Sequence, residues 1–186
     1  MYGMVNRAIQ DHVHRCHGEA MWERVKARAG VDIEVFIRNE AYPDEVSTCL
    51  VGAAAVEMGV AAEEVLHEFG IFWVLHTARE GYGDLMAAAG SNLPEFLQYL
   101  PTFHDRVALI YPNLKPPRFG YSDPGPDRIT VHYHSHRSGL APFVVGLLHG
   151  LGQMYATPIT VTHTVRRAEG ADHDEFLVTW STPAGA

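Results

Sequence analysis

Apolar residues in the first 110 positions recur at intervals of three and four, the pattern of helices that bury one face. Gly18 and Gly30 stand where helix C-caps are expected. The run from Glu80 to Gly83 predicts a break in the helical pattern. Four helices are predicted before that break, over residues 4–17, 19–29, 45–58 and 61–78.

His104 follows two signals of helix initiation. Asn92 with Pro94 is typical of a cap and first turn, and Pro101 marks a similar start. His104 is therefore expected early in a helix. The residues expected around it on this helical region are apolar: Leu97, Leu100, Phe103, Val107 and Ala108.

The second half of the chain changes to a mixed pattern. Tyr111-Pro112 and Lys115-Pro116-Pro117 are predicted to end the helical region, and the turn at 124–127 to separate two short strands. A helix is predicted over 140–155, followed by a strand pair at 158–165 and 175–180. The fold class is therefore α+β, with an N-terminal helical region followed by a mixed region that holds a small antiparallel sheet.

Composition excludes several classes of partner. Only 14 Lys and Arg stand against 22 acids, a formal net charge of −8, which argues against binding to nucleic-acid phosphates. No stretch approaches the roughly 18 uninterrupted apolar residues of a membrane span. Two cysteines and a start without signal-peptide order favour a reducing cytoplasm. Without repeats or linker composition, a single domain over residues 1–186 is expected.

The run Tyr133-His134-Ser135-His136-Arg137 lies at the end of a predicted strand. Alternation puts Tyr133, Ser135 and Arg137 on one face. Two hydroxyls and a guanidinium form a receptor for carboxylates, so a ligand with two acid arms would suit it. A solvated strand of mixed polar residues is the alternative, since five-residue patterns recur by chance.

Histidine is unusually frequent, with 12 residues in the chain. His132, His134 and His136 share the opposite strand face and could approach a metal such as zinc. No Cys, Asp or Glu lies within that run to complete a site, and histidines at a solvated sheet edge need no metal. His104 is a separate candidate, because a neutral imidazole in an apolar wall suits the proximal ligation of haem iron.

The sequence resembles the haem–nitric oxide/oxygen binding (H-NOX) domains, which also form the sensory part of soluble guanylate cyclases. The resemblance extends essentially from end to end. It rests on several motifs in order: Met1-Tyr2-Gly3, Leu93-Pro94-Glu95-Phe96-Leu97 leading to His104 with Arg106-Val107, Lys115-Pro116-Pro117 with Phe119, Tyr133-x-Ser135-x-Arg137, Gly139-Leu140-Ala141-Pro142, Gly146-Leu147-Leu148-His149-Gly150-Leu151-Gly152, and Gly170-Ala171-Asp172-His173.

The resemblance implies a haem b buried between the two regions and held without thioether bonds, because no C-x-x-C-H motif is present. His104 would be the proximal iron ligand. Tyr133, Ser135 and Arg137 would clamp the haem propionates, and Pro117 would press on the porphyrin and bend it. Signalling would follow from release of the proximal histidine and relaxation of the haem.

The gas is inferred from residues that resemble the distal side. Family members that hold dioxygen use a distal tyrosine, and the matching position here is Pro142. Val5, Trp73, Phe143 and Leu147 are aligned with the distal pocket, where the Trp73 indole is the one hydrogen-bond donor. The resemblance therefore implies binding of nitric oxide and, less tightly, carbon monoxide, with dioxygen excluded.

Two other classes of function remain as alternatives, a haem enzyme and a non-haem module that binds a carboxylate ligand or metal. A peroxidase-like enzyme would need a polar distal pair, which the aligned residues do not offer. A sensor without catalytic activity is therefore expected. By resemblance to the stand-alone bacterial type, its partner would be a separate histidine kinase or cyclic-nucleotide enzyme.

Overall fold

The computed structural model describes residues 1–110 and 116–181 and begins with a helical region, as predicted. Its helices are α1 (Gly3–His17), α2 (Glu19–Ala29), α3 (Asp44–Met58), α4 (Ala62–Phe72), α5 (Arg79–Ala87) and α6 (Leu93–Ile110). A π-helical turn, Trp73–Ala78, joins α4 to α5. Gly30 and Gly59 end α2 and α3 in left-handed backbone conformations, which glycine adopts without a steric cost.

One predicted boundary in this region is confirmed and another is wrong. At the predicted break, Glu80–Gly83, the chain is kinked within α5, because Tyr82 has non-helical dihedral angles of −139° and 20°. The second helix start at Pro101 is absent, because Pro101 lies within α6. His104 is therefore in the second half of a long helix. A buried apolar face runs through Leu97, Leu100, Phe103 and Val107, so packing on both sides of Pro101 keeps the helix continuous.

The second half contains β1 (Arg118–Ser122), β2 (Arg128–His134), α7 (Ala141–Met154), β3 (Ile159–Val165) and β4 (Asp174–Trp180). These strands form an antiparallel sheet in the order β1-β2-β4-β3. The predicted α+β class, strands and helix are confirmed. The predicted helix-ending signals at Tyr111-Pro112 and Lys115 lie outside the described residues.

One face of the sheet packs on α6 and α7, and residues of β2 alternate accordingly. Ile129, Val131 and Tyr133 are buried, whereas the intervening side chains are partly exposed. The buried face contributes to a first apolar cluster with α5, α6 and α7. A second apolar cluster lies among α1, α2, α3 and α4.

Helix α7 joins the two regions by crossing α4 closely. A Cβ atom on Gly146 would lie 2.0 Å from the carbonyl oxygen of His67, and one on Gly70 would lie 2.3 Å from that of Phe143. Both positions therefore require glycine if the helix axes keep this separation. Within the described part of the chain, none of the helices is long and apolar enough to cross a membrane.

Candidate functional site

His104 is held in one tautomer by its own helix. Its Nδ1 donates a hydrogen bond of 3.0 Å to the carbonyl oxygen of Leu100, one turn earlier in α6. Burial lowers the pKa of His104 to about 4. The ring is therefore neutral near pH 7, and its proton lies on Nδ1. This leaves the Nε2 lone pair available to bind a metal.

Aromatic rings connect His104 to the sheet. The ring of Phe119 on β1 lies 4.4 Å from the His104 ring, and Phe119 lies 5.3 Å from the ring of Tyr133 on β2. Pro117, which was expected to press on a porphyrin, lies two residues before Phe119 and is partly buried. The structure thus brings α6, β1 and β2 together around the imidazole.

Tyr133, Ser135 and Arg137 come together, although not as successive positions of one strand. Strand β2 ends at His134, so Ser135 and Arg137 lie in the following loop. The Tyr133 hydroxyl is hydrogen-bonded to Ser135, and burial raises the pKa of Tyr133. Ser135 Oγ accepts a bond of 3.1 Å from the Arg137 backbone N–H. The loop, and not strand alternation, gathers these three residues.

The Arg137 guanidinium binds a carboxylate in the structure, namely that of Asp44 at the start of α3. Arg137 Nε and Nη2 donate bonds of 2.7 and 3.3 Å to the two Asp44 oxygens. This hydrogen bonding lowers the pKa of Asp44 to about 2. The N-terminal amine of Met1 contacts the same carboxylate. Asp44 is 93 positions from Arg137, so no local sequence pattern indicates it as a partner.

The opening motif Met1-Tyr2-Gly3 has a structural reason in this arrangement. Tyr2 is buried and pairs with Ala41. A Cβ atom on Gly3 would lie 2.1 Å from the Ile37 carbonyl oxygen. Glycine at this position therefore permits the close passage that places the Met1 amine at Asp44.

The four residues aligned with a distal pocket lie where the two apolar clusters meet. Val5 and Phe143 pack against the second cluster, Leu147 packs against the first, and Trp73 packs against both. The rings of Trp73 and Phe143 are 6.3 Å apart. These residues come from α1, α7 and the π-helical turn. Pro142 lies in the first turn of α7, beside Phe143.

Of the three histidines expected to share a strand face, only His132 and His134 lie on the strand. His136 is exposed in the loop after β2, whereas His132 and His134 lie on the outer, partly exposed face of the sheet. His173, the residue before β4, and Glu175, within β4, approach this pair. The expected run of three is thus replaced by a group from two parts of the chain.

These residues fit a haem in the chemistry of their donors. His104 offers one neutral imidazole nitrogen, as a proximal iron ligand must. Arg137 and Ser135 offer a charged fork and a hydroxyl suited to carboxylates. The apolar residues Val5, Phe143 and Leu147 can cover a porphyrin. A bound carboxylate would share the Arg137 guanidinium with Asp44 or displace it.

A comparison with protein families gives a match to the Haem-NO-binding family over residues 2–163. Among curated proteins, the chain is 25% identical over 162 residues to soluble guanylate cyclase gcy-31 of Caenorhabditis elegans, covering 87% of this chain and 23% of the cyclase. It is 27% identical to soluble guanylate cyclase gcy-35 of the same organism, covering 96% of this chain and 27% of the cyclase. The chain thus spans about a quarter of the length of these relatives.

Solved structures share the fold. An H-NOX protein from S. oneidensis in the Fe(II)NO ligation state superposes with a TM-score of 0.87 and 19% identity, covering 98% of this chain and 100% of that chain. The Fe(II) unliganded H-NOX protein from K. algicida gives a TM-score of 0.85 and 17% identity, with 100% of each chain covered. At these identities the likeness establishes the fold alone.

Proposed function

This chain belongs to the Haem-NO-binding family of haem-based gas sensors, and we propose that it binds one haem b non-covalently and senses nitric oxide at the ferrous iron. His104 is the proposed iron ligand. The hydrogen bond from its Nδ1 to the Leu100 carbonyl is the observation that carries the proposal, because it aims a neutral Nε2 lone pair away from its own helix.

The haem would supply an iron atom with one position for a diatomic gas. The protein would supply the contacts that hold the porphyrin. Arg137 and Ser135 would bind its carboxylates, and Tyr133 would keep Ser135 in position through their hydrogen bond. Asp44 already shows that the Arg137 fork accepts a carboxylate in a two-point geometry. This supports the assignment of Arg137 to propionate binding.

The proposed gas is inferred from the side chains expected on the distal side, which are Val5, Trp73, Phe143 and Leu147, and from Pro142 beside them. Stable dioxygen binding is aided by a hydroxyl donor near the partly negative bound oxygen, and Pro142 has no side-chain donor. Nitric oxide binds ferrous iron strongly without such a donor. We therefore propose that the site binds nitric oxide, and less tightly carbon monoxide, and excludes dioxygen.

In the proposed signal, His104 would hold the metal in one state and be free of it in the other. Because the His104 ring contacts Phe119, a change at His104 would be passed from α6 to β1. Pro117 directly precedes β1 and would move with that strand. A ligand shifts such an equilibrium only by its different affinity for the two states, which here requires that His104 be bound in one state and free in the other.

The output of this signal would pass to another protein or domain. The chain matches only about a quarter of the cyclases compared above. We propose a non-catalytic sensor, with a histidine kinase or a cyclic-nucleotide enzyme as its partner in the cytoplasm. The negative formal net charge of −8 supports a protein partner over nucleic acid.

The test is His104→Gly, with His136→Gly as a control because His136 is exposed in a loop. Purified wild-type protein should show a haem Soret band that shifts on addition of nitric oxide. His104→Gly should lose haem unless imidazole is supplied, and the control should retain it. A normal five-coordinate ferrous spectrum in His104→Gly without imidazole would show that His104 is not the ligand. A colourless wild-type protein after haem addition would refute haem binding.

A further inference from the structure

Three side chains on the outer face of the sheet direct their donor atoms at one point. His132 Nδ1 lies 3.0 Å from His173 Nε2 and 3.3 Å from Glu175 Oε1. His173 Nε2 lies 3.2 Å from Glu175 Oε1. His132 is on β2, and Glu175 on β4 is its partner in the strand pairing. His173 directly precedes β4. The three atoms form a nearly equilateral triangle.

The size of this triangle matches a metal site. Zinc binds histidine nitrogen and carboxylate oxygen at about 2.0–2.2 Å, so neighbouring ligand atoms in a tetrahedron lie roughly 3.3–3.6 Å apart. The three measured edges, from 3.0 to 3.3 Å, are close to that spacing without rearrangement of the backbone. Two imidazoles and one carboxylate are also a donor set that zinc uses in proteins.

With a neutral His173 ring, the contacts of this group cannot all be hydrogen bonds, so the group needs a cation, either a metal ion or a second proton on that ring. Asp172 Oδ1 lies 2.5 Å from His173 Nδ1, so that nitrogen must donate its hydrogen. In a neutral His173 ring, Nε2 then faces both neighbours as a lone pair. A single hydrogen on His132 Nδ1 can satisfy one of the two contacts, which leaves the His173 lone pair against the Glu175 carboxylate. A metal ion would attract all three lone pairs.

Groups around the triangle fix the rings in this orientation. Ser122 Oγ lies 2.8 Å from His132 Nε2, and Asp172 binds the far side of His173. A carboxylate on the second ring nitrogen is a usual support of a metal-bound histidine, and the Ser122 oxygen can accept a hydrogen bond from His132 in the same way. The His134 ring stacks on His173 at 4.2 Å. All three proposed ligands are partly exposed, so an ion can enter from solvent.

We propose that His132, His173 and Glu175 form a zinc site that links β2 to the start of β4, with a fourth coordination position open to solvent. This site is separate from the proposed haem ligands. His132 points away from the buried face that carries Tyr133, since neighbouring residues of a strand face opposite sides. A failure of zinc binding would therefore not test haem binding, and the reverse also holds.

The test is isothermal titration of chelator-treated protein with zinc chloride, at fixed haem content. Glu175→Gln and His173→Ala should each abolish tight binding of one equivalent. Asp172→Asn should weaken binding by about 10- to 100-fold, the usual effect of losing a carboxylate behind a metal-bound histidine. The Asp172 side chain is 85% exposed, so this variant is expected to fold.

Two controls separate this site from other histidines. His136→Ala removes an exposed imidazole from the loop after β2. His149→Ala removes the partner of His67, whose Nε2 lies 2.8 Å from His149 Nδ1. Both variants should bind zinc as the wild type does. Anomalous scattering at the zinc edge should locate the ion between the three ligands. Absence of tight binding by the wild type, equal affinity of Asp172→Asn and wild type, or an ion located elsewhere would overturn the proposal.

Discussion

The close crossing of α4 and α7 gives a prediction that can be worked from distances. Gly146 of α7 faces Gly70 of α4, and Gly146→Ala would place a methyl group 2.0 Å from the His67 carbonyl oxygen and 3.0 Å from the Gly70 Cα. The first distance is about 1.4 Å shorter than an ordinary contact of 3.4 Å. Both obstacles are backbone atoms, so a side-chain rotation cannot relieve the overlap and the helices must separate.

The expected cost follows from the type of change. Overpacking of a core costs about 1–3 kcal/mol and occasionally more, and this overlap with backbone belongs at the upper end. Alanine regains about 1 kcal/mol over glycine in a helix interior, which offsets part of the loss. The net decrease in the free energy of unfolding is expected to be about 2 kcal/mol or more. A chain of this size should then melt about 4–8 °C lower.

Gly52→Ala provides the matched control, because Gly52 is inside α3 and its added Cβ would meet nothing within 4 Å. It should raise the free energy of unfolding by about 0.5–1 kcal/mol. Urea unfolding of both variants at equal haem loading measures the difference. Under the proposed function, Gly146→Ala should also alter the rate of nitric oxide binding, since Phe143 and Leu147 lie on the displaced helix. If Gly146→Ala proved as stable as Gly52→Ala, the reasoning from the crossing distance would be refuted.

Three further predictions concern the proposed site and its surroundings. Arg137→Ala should accelerate haem loss to an acceptor protein more than Ser135→Ala, because hydrogen bonds to charged groups contribute about 1.5–3 kcal/mol against about 1 kcal/mol for neutral ones; equal loss rates would contradict propionate binding by Arg137. Pro117→Ala should flatten the haem without gas and shift the protein toward its signalling state, and an equally bent haem in crystal structures of both proteins would exclude Pro117 from the switch. Burial lowers the pKa of His12 from 6.5 to about 4, so the unfolded chain takes up a proton that the folded chain refuses. The free energy of unfolding should therefore fall by about 1.4 kcal/mol per pH unit from His12 as pH decreases from 6.5 to 4, and urea unfolding of His12→Gln should show a shallower decrease in this range; the wild-type slope in that variant would refute the assignment.

Local patterns predict most elements because their causes are local. Glycine after α2 and the alternation of β2 involve only neighbouring residues, and both predictions are confirmed. Pro101 shows where local reasoning fails. A proline in a helix interior is unfavourable by about 3 kcal/mol, yet buried residues such as Leu97 and Val107 pack on either side of it. Tertiary contacts that the sequence does not display determine which effect is larger.

In the candidate site, too, contacts between near neighbours in sequence are predictable and contacts between distant residues are not. His104 and its Leu100 partner are four positions apart on one helix, so sequence spacing is enough to suggest their contact. Arg137 and Asp44 are 93 positions apart, and an acid near the start of a helix is too common to single out Asp44. Family resemblance suggests the residues that are proposed to bind a cofactor. It does not indicate that Asp44, a carboxylate of the protein itself, is bound to Arg137.

Strand alternation also explains why two proposed sites can share one strand. Tyr133 faces the buried side of β2, where its hydroxyl meets Ser135, while the adjacent His132 faces outward toward His173. A bound zinc ion would join β2 to β4 and stiffen this part of the sheet. The proposed haem signal begins at α6 and β1, and all five residues of β1 pair with β2. A zinc ion on β2 would therefore also limit motion of β1, because Ser122 of β1 contacts the second ring nitrogen of the proposed ligand His132.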